Sequence, residues 1–210
     1  MGKLTNGING PVSGKVGKVV GSNRNGVPYL KGPSKKRTKK VSEKEKANRV
    51  RFTAAQSWLS PVLDYVRQGF KAYTITCYGF IAAKSYLLLN ATEQVNSDFI
   101  IHPELVKVSF GTLPLSNNIA VKKVDADKLE FTWDTAPVEG GSAYDQVALL
   151  AYDIKKGKAY HSLTGQFRTT GMDRLNIGTK ARRTLHIYIS FIAADRSKQS
   201  DSIYLGTITT

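Results

Sequence analysis

The chain has 210 residues, 41% of them hydrophobic, and carries 31 Lys and Arg against 16 Asp and Glu, a formal net charge of +15. That length suffices to bury a core, while the single cysteine, Cys77, excludes an intramolecular disulfide framework and a thiolate metal cage. No apolar run reaches the roughly 18 residues of a membrane span, and no secretory signal is legible in Met1 to Gly21, so a cytoplasmic location is the default expectation.

The charge is unevenly placed. The first 40 residues hold eight lysines, two arginines, eight glycines and no acidic residue. From Leu4 to Tyr29 short apolar pairs alternate with glycine, which suits turns and one hairpin better than a helix. Asn9-Gly10 and Asn25-Gly26 are expected as tight turns, with Val16–Ser22 pairing to Val27–Lys31. Gly32-Pro33-Ser34 then ends the pairing, and a basic run covers Lys35 to Lys40.

At Ser42 the pattern changes. Ser42-Glu43-Lys44-Glu45 fits a capping box, and Ala47, Val50, Ala54, Ala55, Trp58, Leu59, Val62, Leu63 and Val66 recur at helical steps. Pro61 interrupts this face, so a kinked helix pair is expected, with Ser60 capping the second segment and Gly69 closing it. A further helix is expected over Tyr78–Ala91, and its all-round apolar stretch Tyr86–Leu89 argues for deep burial.

Strand signals follow. Eight short runs are read as strands: 106–110, 119–124, 129–133, 146–152, 158–163, 174–177, 185–192 and 203–208. Leu129, Phe131 and Trp133 alternate with Glu130 and Thr132, predicting one buried and one wet face. The expected class is α+β: a basic arm over 1–41, a helical segment over 42–95 and an antiparallel β-sandwich over 96–210. Over 117–210 the early tryptophan strand and the late tyrosine-bearing strand resemble the immunoglobulin and fibronectin type III pattern.

Motifs for catalysis are weak. Ser13-Gly14-Lys15 lacks the leading glycine and the following Ser or Thr of a phosphate loop, since Asn9 and Val16 occupy those positions. His102, His161 and His186 stand far apart, and Asp125, Asp127 and Glu130 lack the spacing of a calcium loop. There is no Gly-x-Ser-x-Gly elbow. Neither catalytic residues, nor a metal, nor a cofactor is expected.

The constellation that carries a function is basic. Lys15, Lys18, Arg24, Lys31, Lys35, Lys36, Arg37, Lys39, Lys40, Lys44, Arg49 and Arg51 are the candidate polyanion contacts. Tyr29, the one aromatic of the arm, offers no stacking platform, so contact with a nucleic-acid backbone without sequence preference is expected. The alternative is a structural subunit of a virion, filament or surface assembly, self-associating through its arm.

From end to end the chain resembles an uncharacterised family common in the Bacteroidota. The residues that carry this are Asn9-Gly10-Pro11-Val12-Ser13-Gly14-Lys15-Val16-Gly17, Val19-Val20-Gly21-Ser22, Ser42 to Phe52, and Asp201-Ser202-Ile203-Tyr204-Leu205-Gly206. The resemblance implies the three-part layout and transfers no catalytic residues.

Overall fold

A computed structural model describes residues 3–4, 10–24, 26–36, 38–73, 79–95, 98–179 and 182–210. The chain divides into two compact units, Met1–Ser42 and Glu43–Thr210. Asn9, Asn25, Arg37, Cys77 and Tyr78 lie outside the described residues.

The first unit is an antiparallel meander of β1 (Lys3–Leu4), β2 (Val12–Val16), β3 (Val19–Arg24) and β4 (Val27–Lys31), ordered β1-β2-β3-β4. The expected strand Val16–Ser22 is corrected here. Gly17, at φ 56°, opens a two-residue turn with Lys18 that cuts this stretch and pairs Val16 with Val19. Only glycine adopts that backbone conformation without steric cost, which is why the chain reverses there.

In the second unit, α1 runs over Glu43–Leu59, with Glu43 and Glu45 placed favourably against the positive end of its dipole. A 3-10 turn at Ser60–Val62 carries Pro61 and leads into α2 (Leu63–Gly69), so the kink falls where proline forbids a continuous helix. Ser60 does not cap α2. Its hydroxyl donates back to the Gln56 carbonyl at 2.7 Å. Gly69 ends α2 because the next layer touches it: a Cβ there would stand 2.3 Å from the Val108 carbonyl oxygen. Helix α3 (Gly79–Asn90) follows, then a hairpin of β5 (Thr92–Val95) and β6 (Asp98–Ile101) that the sequence reading did not anticipate.

Residues 106–110 do not form the expected strand. Their backbone groups are satisfied by loops and side chains: Phe110 N–H donates to the Gly69 carbonyl at 2.9 Å, and Val108 N–H donates to Ser202 Oγ at 3.0 Å. The segment is a buried connector. The remaining strands are β7 (Ala120–Asp125), β8 (Lys128–Thr132), β9 (Gln146–Asp153), β10 (Lys158–Ser162), β11 (Met172–Asn176), β12 (Thr184–Ile192) and β13 (Ile203–Thr209). They make two antiparallel sheets, ordered β11-β8-β7 and β10-β9-β12-β13.

The central strands β9 and β12 of the second sheet are buried on both faces. Val147, Leu149 and Ala151 of β9, with Leu185, Ile187, Ile189 and Phe191 of β12, share one core with Leu129, Phe131 and Trp133. The alternate residues Ala148, Leu150, Tyr152, Tyr188 and Ile192 share a second core with Trp58, Leu59, Val62, Tyr65 and Phe70 of the helical layer. Nearly continuous apolar runs such as Val147–Tyr152 are what a strand covered on both sides requires. Buried hydroxyls fasten the helical layer to the sheet. Tyr152 donates to the Trp58 carbonyl at 2.9 Å, and Tyr65 to the Ala148 carbonyl at 3.0 Å.

Candidate polyanion interface

The meander of the first unit sorts its side chains by register. Lys15 pairs with Val20, Val20 with Lys31, Ser22 with Tyr29 and Arg24 with Val27. Paired residues, and every second residue along a strand, project to the same side. Lys15, Arg24 and Lys31 therefore share one face with Ser22 and Tyr29. The Lys31 ammonium stands 5.9 Å from the centre of the Tyr29 ring. The hydrogen bond from Ser22, and then the Lys31 and Arg24 charges, hold the Tyr29 phenol below its ordinary pKa.

The opposite face carries Val16, Val19, Pro28 and Leu30, and Val16, Val19 and Leu30 are exposed. The sheet is thus two-sided: one face carries the cations together with Val20 and the exposed Val27, and the other, apart from Asn23, is apolar.

The other candidate cations fall elsewhere. Lys18 is exposed at the tip of the β2–β3 turn, and Lys35, Lys36, Lys39 and Lys40 are exposed in the segment after β4. Lys44, Arg49 and Arg51 lie on α1. Arg49 pairs with Glu45 at 2.7 Å, one helical turn away. Arg51 is half-buried: its guanidinium lies over the Phe99 ring at 5.3 Å and donates to the Leu88 carbonyl. The structure therefore brings together Lys15, Arg24 and Lys31, while Arg49 and Arg51 are engaged within the helical layer. Ser22 was missed as a member of the site. Counting outward from the Asn25-Gly26 turn pairs Ser22 with Tyr29 and would have found it.

The residues weighed for catalysis have structural partners. Ser13-Gly14-Lys15 lies within β2, not in a loop leading into a helix. His102 stands between Glu93 at 3.2 Å and Glu104 at 3.3 Å, and His186 bonds to the Tyr204 hydroxyl at 2.9 Å. Burial holds the His186 imidazole below its ordinary pKa. His161 meets the Tyr65 ring edge-on at 6.3 Å. Glu130 lies on the polar outer face that alternation predicted, with its own side chain covered by exposed neighbours. Lys122 at 2.9 Å and Arg174 at 2.8 Å cover its carboxylate, and their hydrogen bonds lower its pKa. Among the described residues no three His, Cys, Asp or Glu side chains converge as metal ligands, and no helix is long and apolar enough to cross a membrane.

Residues 11–206 match the family of unknown function DUF6266, and the chain belongs to that family. No curated protein and no solved structure matches the chain significantly.

Proposed function

We propose that the chain is a non-enzymatic binding protein whose first unit holds a polyanion, the phosphate backbone of a nucleic acid, without reading its sequence. What supports this reading is the register that gathers Lys15, Arg24 and Lys31 on one face of the meander, in a segment of 42 residues without a carboxylate side chain. Such a face attracts phosphate by charge and counterion release, and a ring such as Tyr29 adds at most one stacking contact. The two facing sheets of the second unit, ordered β11-β8-β7 and β10-β9-β12-β13, are read as a fibronectin type III-like sandwich serving as a rigid body.

The test is titration of labelled duplex and single-stranded oligonucleotides of varied sequence across a salt series. Binding that is indifferent to sequence, falls with salt and weakens in a Lys15→Gln, Arg24→Gln, Lys31→Gln variant is expected. Absence of binding at low ionic strength overturns the reading.

A second reading, a structural subunit, draws on a different observation. β4 is an edge strand whose five residues are all exposed, and a bare edge can accept a strand from a neighbour. Light scattering separates the two readings: a particle lost on nuclease treatment favours the first, and one that survives favours the second.

A further inference from the structure

The helical layer of the second unit carries a surface that the polyanion reading leaves unused. A groove of about 430 Å³ lies between α1 and the β5–β6 hairpin, lined by Lys44, Asn48, Arg51 and Phe99 among others. A second groove of about 390 Å³ lies between α1 and α3, lined by Phe52, Ile81, Lys84 and Leu89 among others. Arg51 lines both, so the two grooves adjoin at its side chain. From Lys44 to Phe52 they follow α1 for about 12 Å, at about 1.5 Å per residue.

Three observations describe what would fit. The second groove is apolar where a core residue would be expected to be covered: Leu89 is 76% exposed, Ile81 49% and Phe52 46%. Leu89 in particular departs from the deep burial that its all-apolar neighbourhood predicts, whereas Leu87 and Leu88 beside it are buried. Among the described residues the lining supplies the cations Lys44, Arg51 and Lys84 and no carboxylate. Arg51, at the junction, uses Nη2 on the Leu88 carbonyl while its buried Nε has no hydrogen-bond partner.

We propose that this surface docks an amphipathic α-helix of a partner protein, one whose apolar stripe is flanked by Asp and Glu. A slot between two helices accepts a third helix through its apolar stripe, and Lys44 and Lys84 at its rim select acidic flanks, with the half-buried Arg51 adding charge from beneath. A second copy of this chain fits poorly. It would bring the same three cations against themselves on a chain of net charge +15, and neither α1 nor α3 has an apolar stripe flanked by carboxylates.

The probe is a labelled synthetic amphipathic helix with a leucine stripe and glutamate flanks, measured by fluorescence anisotropy against the full chain. A matched peptide with lysine flanks and vesicles of phosphatidylcholine and phosphatidylglycerol serve as competitors of different chemistry. The glutamate peptide should bind at least about tenfold more tightly than the lysine peptide, a difference that Lys84→Glu abolishes. Leu89→Asp should weaken binding by a similar factor with an unchanged thermal unfolding midpoint, since that side chain is exposed. The Lys15→Gln, Arg24→Gln, Lys31→Gln variant should bind the peptide as the wild type does, which separates this surface from the cationic meander. The proposal is overturned by equal binding of both peptides, by no binding of the glutamate peptide, or by indifference to Leu89→Asp. It is equally overturned by vesicle binding or self-association that Leu89→Asp removes in place of peptide binding.

Discussion

The hydroxyls of Tyr65 on α2 and Ser190 on β12 lie 2.8 Å apart at the buried boundary between the helical layer and the sheet. Tyr65 donates onward to the Ala148 carbonyl, so one side chain satisfies two groups that have no access to water. Tyr65→Phe should leave the Ser190 hydroxyl without its partner, while the Ala148 carbonyl keeps its place in the β9–β12 ladder, and destabilise the protein by about 1–3 kcal/mol. Urea unfolding of the variant, with an unchanged slope and a lowered midpoint, checks this. An unchanged midpoint would mean that the boundary is held by apolar packing alone.

The same burial governs the response to alkali. Desolvation pushes the Tyr65 and Tyr188 phenols up, and the Tyr152 phenol to about 12. Each raised group binds its proton more tightly in the folded state than in the unfolded one. Its contribution to stability is therefore complete below the unfolded value of about 10 and is lost as pH rises from there through the folded value. Tyrosinate absorbance of these residues should appear together with the loss of tertiary circular dichroism. A separate titration of all tyrosines at pH 10 in a still folded protein would contradict it.

Trp133 fills the core between the two sheets, edge-on to Phe191 with ring centres 5.7 Å apart, and its indole N–H donates to the Arg168 carbonyl at 2.8 Å. Trp133→Ala should cost about 3–5 kcal/mol. Trp133→Phe keeps a ring and loses the hydrogen bond, so about 1–3 kcal/mol is expected. Parallel denaturant curves separate packing from the polar contact.

Gly69→Ala tests how closely the connector at 106–110 presses on α2. The new methyl would meet the backbone at Val108 and Ser109, which cannot swing aside as a side-chain tip can. Overpacking costs about 1–3 kcal/mol, more than the gain of at most about 1 kcal/mol from a better helix former. A lowered unfolding midpoint is expected, and a raised one would show that the connector yields.

Removing residues 1–42 should leave a body that unfolds cooperatively, because among the described residues every member of both buried cores lies beyond Glu43. Calorimetry of the truncated protein decides it. In the full chain, neutralising Lys15, Arg24 and Lys31 should flatten the dependence of log affinity on log salt by about 2–3 for duplex DNA.

Taken alone, the sequence determined the elements whose signals are local. The change from glycine and lysine to Ser42-Glu43-Lys44-Glu45 marked the start of α1, Pro61 marked the kink, and seven of the expected strand runs overlap β7 to β13. It also named the cations, because charge is a property of composition. Tertiary structure decided what neighbours decide. Alternating Ala148, Leu150 and Tyr152 with Val147, Leu149 and Ala151 carries no wet face, and only the helices packed on one side and the three-stranded sheet on the other assign each set to its core. Residues 106–110 have strand propensity, yet their hydrogen bonds go to Ser202 and Gly69, which no local pattern foretells. Lys15, Arg24 and Lys31 become one face through strand register, and Leu89 stands exposed at an interhelical groove because no described residue of the unit covers it. Propensity and charge act within a few residues, whereas register and burial are settled by contacts between residues far apart in the chain.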